Sequence, residues 1–500
     1  MIARRALFGA VLAALLLPLA VFSQAPQLMR EQSIVETGKI NPFARENIPS
    51  FSVTSLANGI PVIVKKSTTN RIMSLKVVLM GHVSFTPVEK AGLEAVMLRM
   101  LTRGSAHYTY DDVQKRLFET SSSISANAGS FDSTSLDLVT IDTYFNDLFP
   151  VFADAFLHPK WNAEEFPRVI NDFKRAKQQD ENDPFGLMNQ LLRDSFFAGH
   201  PYEAYFQGEG YSLEGLTLDD VMSYYDKQVT SGRIFIVAVG NFDRATLVAK
   251  LNASFGLLPR TTYVRPPVPR FTGAVKSDLI VETYPQSEGL AYVRGNFAMP
   301  GRDSPDYAPS LLAFNLLDDL LFEIVRTRNG AAYSVNSSVH GFTASYGDIT
   351  VYKTATPGTV KPLIDQAIAV LASGRSMGGN VSASAAGKGG IGTGEEAKAG
   401  SFVSIADALP FYKASFLSQF YSGQETNMSI AAQIASSIIY DGDYRDYLLI
   451  IDRINAVTAD DVVRVTKKYL IGNPTLWIVL GDPALLQGVK KDDFMKFTGD

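Results

Sequence analysis

The sequence predicts an α+β fold of two homologous domains, each a mostly antiparallel sheet with helices packed on one face. Two segments half a chain length apart share the same order of residue types, which indicates an internal duplication. Each copy combines the start of a helix with a buried strand. A proline-rich stretch at residues 261–269 separates the two halves, as expected of a linker.

The duplicated segments are related by a constant offset of 241 positions without a gap. In both copies a threonine, Thr217 or Thr458, precedes two acidic residues, as is typical of a helix N-terminus. An apolar, β-rich run that ends in glycine follows and indicates a buried strand. The segments are residues 216–221 and 457–462, followed by residues 234–240 and 475–481.

The other elements follow from local patterns in chain order. Asn58 and Gly59 separate two β-rich runs, which predicts a hairpin with a tight turn over residues 51–64. Apolar β-rich runs predict further strands, and apolar residues at helical spacing predict helices. The predicted strands are residues 72–80, 278–284 and 291–297, and the predicted helices are residues 90–102 and 307–326.

Composition divides the rest of the chain. Residues 374–400 are rich in Gly, Ser, Ala and Lys, which predicts either a surface insertion or a loop that gates a substrate site. The expected division is an N-terminal extension (24–46), an N-terminal domain (47–260), a linker (261–275), a C-terminal domain (276–487) and a tail (488–500).

Charge and cysteine content exclude several classes of function. The chain has 500 residues, a net charge of −5 and no cysteine. The absence of cysteine excludes disulfides, thiolate zinc sites, iron–sulfur clusters and cysteine nucleophiles. The mildly acidic balance argues against nucleic acid as the main partner, because no basic stripe is available to replace counterions.

The N-terminus has the pattern of a secretory signal peptide over residues 1–23. Arg4 and Arg5 precede an apolar run at residues 7–22, and cleavage is expected after Ser23. A membrane anchor is the alternative, although the run is short for a span. The mature protein is therefore expected to be exported without a stable membrane span, and to be periplasmic in a diderm bacterium.

Several of these motifs, in this order, resemble the insulinase (pitrilysin) family of zinc peptidases, particularly its mitochondrial-processing-type members. The resemblance implies two peptidase-like domains arranged as half of a clam-shell chamber. The motifs are Asn58-Gly59, Gly92-Leu93, Asn182-Asp183-Pro184, Arg326 with Gly330 and Tyr333, and residues 457–462 and 479–482.

The zinc motif of that family is degenerate in this chain. Active members carry H-x-x-E-H on the first helix, with a further glutamate ligand later in the chain. Alignment places Ala95 and Arg99 at the two histidines, Leu98 at the glutamate base and Ala176 at the distant glutamate. Alanine cannot bind metal and arginine would repel it, so no zinc is expected in this chain.

The C-terminal half keeps the residue types of the family's substrate-contact segment. The resemblance implies that Arg326 and Tyr333 bind substrate: the arginine fork suits a peptide carbonyl or carboxylate. The tyrosine hydroxyl suits an oxyanion that develops at the scissile carbonyl. The alternative is a surface arginine and a strand tyrosine packed in the core.

The resemblance thus implies a non-catalytic, substrate-binding subunit of an exported heterodimeric zinc endopeptidase. Its partner would be a homologous subunit with an intact H-x-x-E-H that holds the zinc, and its substrates would be peptides. An inactive homodimeric peptide-binding or scaffold protein is the second hypothesis. A self-sufficient peptidase with an unusual zinc site is the third, although the five histidines, expected on the surface or in loops, are widely spaced: His82, His107, His158, His200 and His340.

Overall fold

The computed structural model describes residues 41–262, 264, 266–270, 277–377 and 401–499. The expected signal peptide at residues 1–23 lies outside this part of the chain. The same holds for residues 24–40 of the extension, for residues 263, 265 and 271–275 of the linker, and for residues 378–400 of the glycine-rich segment.

The N-terminal half contains a six-stranded sheet with the strand order β1-β2-β6-β3-β5-β4. Only the neighbours β2 and β6 are parallel, and all other pairs are antiparallel. The strands are β1 Phe51–Ser55, β2 Pro61–Lys66, β3 Ile72–Met80, β4 Ser123–Asn127, β5 Ser133–Ile141 and β6 Ile234–Gly240.

The predicted hairpin joins β1 to β2 as expected. Gly59 has a φ of +92°, a backbone region that favours glycine. The Asn58 side chain donates to the carbonyls of Phe255 and Leu258 at 2.9 and 3.0 Å. The turn residues therefore fix both the hairpin and its contact with the end of the N-terminal half.

The C-terminal half contains a five-stranded sheet with the order β7-β13-β8-β10-β9, in which only β7 and β13 are parallel. This order repeats that of β2-β6-β3-β5-β4, so the predicted α+β class with two homologous, mostly antiparallel sheets is confirmed. A separate two-stranded sheet pairs β11 with β12. The strands are β7 Asp278–Thr283, β8 Ala291–Ala298, β9 Ser334–His340, β10 Tyr346–Thr354, β11 Arg375–Met377, β12 Phe402–Ser404 and β13 Thr475–Gly481.

The helices fall into two sets of similar size. Those of the N-terminal half are α1 Pro42–Asn47, α2 Leu93–Leu101, α3 Tyr110–Glu119, α4 Asp142–Leu157, α5 Glu165–Glu181, α6 Pro184–Phe196, α7 Gly210–Glu214, α8 Leu218–Gln228 and α9 Arg244–Asn252. Those of the C-terminal half are α10 Tyr307–Leu321, α11 Pro357–Ala372, α12 Ile405–Ser422, α13 Asn427–Tyr440, α14 Asp446–Ala456, α15 Ala459–Thr466, α16 Pro483–Leu486 and α17 Lys491–Met495.

The duplicated helix starts have the same geometry in both halves. Thr217 and Thr458 each form a capping box, in which the threonine hydroxyl accepts from the N3 backbone and the N3 aspartate accepts from the N-cap backbone. Helix α8 leads to β6 and helix α15 leads to β13, as the repeat predicts.

Each sheet is covered on both faces. The helices of the same half pack on one face, as predicted, where Leu75 and Val77 of β3 contact Val96 of α2. On the opposite face of this sheet, Val78 packs in a cluster that includes Ile434 of α13, a helix from the C-terminal half.

The reciprocal contact is made by α6 of the N-terminal half. Its Met188 and Leu192 pack with Ile478 and Leu480 of β13. Each half therefore contributes one helix to the other: α13 covers a face of the N-terminal sheet, and α6 covers a face of the C-terminal sheet. In the described part of the chain, no helix combines the length and the hydropathy needed to cross a membrane.

Candidate functional site

The degenerate zinc positions lie on α2 and α5, which pack against each other. Ala95 is buried and Leu98 is fully buried in the hydrophobic core. Arg99 and Ala176 are both exposed. Because position 98 lies in the core, a glutamate there would have to leave the core to reach a metal. Leu98 itself therefore provides no general base.

An ion pair shows how the two helices are aligned. Arg103, just after α2, approaches Asp172 of α5 with an N–O distance of 3.4 Å. Arg99 lies four positions before Arg103, and Ala176 lies four positions after Asp172, so each is one helical turn from this contact. The two helices that carry positions 99 and 176 are therefore in contact near these positions.

The residues at these positions do not fit zinc. The methyl side chains of Ala95 and Ala176 carry no ligand atom, and the Arg99 guanidinium is a fixed positive charge. Within the described ranges, no group of three or more His, Asp or Glu side chains is placed to hold a metal ion.

One residue next to the degenerate motif was missed by the sequence reasoning. Glu94 is fully buried and forms an ion pair with Arg233 at 2.9 Å. It also accepts hydrogen bonds from Thr134 at 2.6 Å and from the Tyr224 hydroxyl. Although burial alone would raise the pKa of Glu94, the Arg233 guanidinium holds this pKa below its usual range. The network ties α2 to the start of β6, and the only sequence signal was a lone acid in an apolar stripe.

The histidines are dispersed, with one exception to the expectation that they lie at the surface or in loops. His82 is buried and bonds through Nδ1 to the Ser130 carbonyl, and burial lowers its pKa. His107 and His158 both place Nδ1 within 3.0 Å of the same Asp154 oxygen, although they are far apart in sequence. Only the fold brings His107 to the Asp154 carboxylate that His158 also contacts.

Arg326 and Tyr333 lie next to each other on the C-terminal half. The Arg326 guanidinium carbon is 5.6 Å from the centroid of the Tyr333 ring and 4.8 Å from that of Phe322. Tyr333 is 68% exposed, so it is not the core tyrosine of the alternative interpretation. Both polar groups are available to a ligand from solvent.

The local backbone holds this pair in place. Helix α10 ends at Leu321, and Phe322–Arg328 continues it as a π-helix, a variant that is frequent at functional sites. Gly330, with a φ of +56°, then reverses the chain and donates its N–H to the Arg326 carbonyl at 2.9 Å. The predicted helix over residues 307–326 is thus correct in extent, but its last turn is not α-helical.

A bulge in the neighbouring strand fixes Tyr333. The Tyr333 N–H donates to the carbonyl of Lys353 at 3.0 Å. Lys353 has a φ of +60°, which is unusual for a residue with a side chain, and the register of β10 shifts between Val351 and Thr354. Sequence reasoning did not find Lys353, because a bulge has no reliable local signal.

The stems of the glycine-rich segment lie beside the same π-helix. The Arg328 guanidinium is 4.7 Å from the centroid of the Phe402 ring, at the start of β12. Strand β12 pairs with β11, so the segment at residues 378–400 leaves from and returns to this edge of the C-terminal half. Its two interpretations, surface insertion or gating loop, concern residues outside the described ranges.

Comparison with known proteins agrees with the geometry. Residues 215–378 match the family described as Peptidase M16 inactive domain. An uncharacterized zinc protease of Mycobacterium leprae is 27% identical over 198 residues, which is 39% of this chain and 44% of the relative. One from Mycobacterium tuberculosis H37Rv is 28% identical over 211 residues, or 41% and 48% of the two chains. The chain therefore spans about half the length of these curated relatives.

Solved structures share the fold. A peptidase M16 inactive domain from Pseudomonas fluorescens has a TM-score of 0.72 at 18% identity, covering 86% of this chain and 98% of the other. The periplasmic protease PqqL from Escherichia coli has a TM-score of 0.68 at 18% identity, covering 87% of this chain and 45% of PqqL. The sequence resemblance to the insulinase (pitrilysin) family is thereby confirmed: residues 215–378 match the Peptidase M16 inactive domain, and the fold is shared with M16 structures.

Proposed function

We propose that this chain is the non-catalytic, substrate-binding subunit of an exported heterodimeric zinc endopeptidase. The observation that carries the proposal is the contrast between the halves. The zinc positions hold Ala95, Arg99 and Ala176, whereas Arg326 and Tyr333 project together into solvent. A chain that lacks the metal site but keeps the substrate-contact pair fits a role completed by a second subunit.

In this proposal a homologous partner with an intact H-x-x-E-H supplies the zinc. Arg326 binds a carbonyl or carboxylate of the peptide through its planar fork. Tyr333 donates its hydroxyl to the oxyanion that forms at the scissile carbonyl. Export depends on the signal peptide at residues 1–23, and the compartment is the periplasm if the source is a diderm bacterium.

The peptide would be held in extended form by addition to a sheet edge. The edge strand β9 follows Tyr333 directly, but the N–H of Ser337 in β9 is already bonded to Asp318 of α10 at 2.7 Å. At the equivalent edge of the N-terminal sheet, none of the backbone amides of β4 bonds outside its sheet within the described part of the chain. Strand β4 is thus the better edge for a peptide.

The test is affinity capture of the tagged mature protein from the exported fraction of its source, with mass spectrometry and zinc analysis of the eluate. The expected result is an equimolar, similar-sized protein with H-x-x-E-H, zinc in the pair and none in this chain alone. Recovery of this chain only, as a homodimer without zinc, would contradict the heterodimer and favour the peptide-binding or scaffold alternative. Stoichiometric zinc in the isolated chain would contradict both.

A further inference from the structure

A basic cavity lies beside α5, one of the two helices that carry the degenerate zinc positions. It has a volume of about 680 Å³ and lies between the α2–α3 connection and one face of α5. Four cationic side chains line it: Arg103, Lys160, Arg168 and Arg175. The Arg103–Asp172 contact between the end of α2 and α5 forms part of its wall.

The carboxylates of the cavity do not fully neutralise its positive charge. Arg168 pairs with Glu165 and Arg175 pairs with Asp172, both at 2.5 Å. Arg103 adds a third guanidinium to the same two carboxylates, at the longer distances of 3.8 and 3.4 Å. These five groups therefore carry one excess positive charge.

The remaining charges in the lining balance each other. Lys160 offsets Asp111, and the first turn of α3 adds the partial positive charge of a helix N-terminus. The excess of about one charge therefore persists, in a chain whose net charge is −5.

Hydrogen-bond donors in the lining are also left over. The Nε atom of Arg103 is buried and has no hydrogen-bond partner in the described structure. Lys160 is exposed, and its ammonium bonds to no described residue. Spare donors and one excess positive charge match a single planar anion, because a guanidinium fork and a carboxylate are complementary in shape.

We propose that this cavity binds a carboxylate group of a peptide, either its C-terminus or an acidic side chain. The cavity would thus offer a fixed guanidinium cluster that anchors the ligand without cleaving it. The site is separate from Arg326 and Tyr333, and its occupancy requires neither a zinc-binding partner nor peptide hydrolysis.

The experiment compares three dansyl-labelled tetra-alanine probes by fluorescence titration of the full mature chain. One probe ends in a free carboxylate, one in a carboxamide, and one is the carboxamide with a single internal glutamate. We expect one or both carboxylate probes to bind about tenfold more tightly than the plain amide, the order expected for a charge-assisted hydrogen bond. The stronger of the two identifies the source of the carboxylate.

The variant Lys160→Gln/Arg175→Gln tests the assignment, since both side chains are largely exposed and their replacement leaves Arg103 with its acidic partners. It should remove the preference for carboxylate while melting at the temperature of the parent chain. The control Lys491→Gln, in an exposed ion pair of the C-terminal half, should keep the preference. Equal binding of all three probes, an unchanged preference in the double variant, or no binding of either carboxylate probe up to about 1 mM would overturn the proposal.

Discussion

Ser337 donates its backbone N–H to the carboxylate of Asp318 across 2.7 Å. This bond places a side chain of α10 on the outer edge of β9, where a further strand would otherwise pair. The carboxylate is half-buried, and burial raises the pKa of Asp318 to about 6. One acidic residue therefore both closes a sheet edge and makes stability depend on pH.

Replacing Asp318 by Asn should stabilise the protein at pH 8 and have a smaller stabilising effect at pH 4.5. The native carboxyl has a raised pKa, so the native state binds more protons than the unfolded chain between about pH 4 and pH 6. Stability from this group is present below that window and is lost as pH rises through it. Asn stays neutral and still accepts the Ser337 N–H, so the gain at pH 8 should be about 2 kcal/mol.

Urea unfolding of Asp318→Asn at both pH values measures this difference, with the exposed Asp226→Asn as the control. A gain of equal size at pH 4.5 and pH 8 would show that the effect does not come from titration of Asp318.

Replacing Glu94 by Ala should destabilise the N-terminal half strongly. The change leaves the guanidinium of Arg233 buried without a counter-charge, which costs about 3–5 kcal/mol. The double variant Glu94→Leu/Arg233→Met should recover much of this loss, because it removes both buried charges together. The free energy of unfolding in urea measures both effects.

The matched control is Lys174→Ala, which breaks the exposed pair with Glu214 and should change stability by less than about 1 kcal/mol. The proposed role of Glu94 would be wrong if its variant were as mild as this control.

Local sequence patterns were sufficient for the elements that depend on neighbouring residues. The capping boxes at Thr217 and Thr458, the Asn58-Gly59 turn and the buried strands are all set by residues within a few positions of one another. The duplication then followed from comparing these local patterns, and the repeated strand order agrees with it.

The features that the sequence did not reveal depend on contacts between distant segments. The exchange of α6 and α13 between the halves depends on packing of each helix against the sheet of the other half. The buried Glu94–Arg233 pair joins residues 139 positions apart. The Lys353 bulge matters to the site only through its backbone hydrogen bond with Tyr333. For the candidate site, the sequence singled out Arg326 and Tyr333 separately, and the structure showed that they lie together.

The triple variant Ala95→His/Arg99→His/Ala176→Glu should gain a zinc site. It restores three ligand types at the aligned positions on α2 and α5, two helices that pack against each other. Because Ala95 is buried, the metal-free variant should be less stable than the parent. Added zinc should then raise its melting temperature, since a ligand that binds only the native state stabilises it.

Zinc content after dialysis and the zinc-dependent shift in melting temperature check this prediction. The double variant Ala95→His/Arg99→His, which keeps Ala176 and so lacks the third ligand, should retain less metal, and the parent should show no shift. A folded triple variant without any response to zinc would mean that these positions do not correspond to the family's metal ligands.

Replacing Tyr333 by Phe should lower peptide cleavage by the reconstituted pair of subunits about 10²–10³-fold, the loss expected for one oxyanion donor. Assembly should be unchanged, because the ring is 68% exposed and the variant keeps its contact with Arg326. The control Tyr211→Phe removes another exposed hydroxyl, on the N-terminal half, and should leave turnover unaltered. Turnover numbers and the mass of the complex check this prediction. Full activity of the Tyr333 variant would show that the Tyr333 hydroxyl takes no part in the reaction. Loss of the complex would show that Tyr333 belongs to the subunit interface instead.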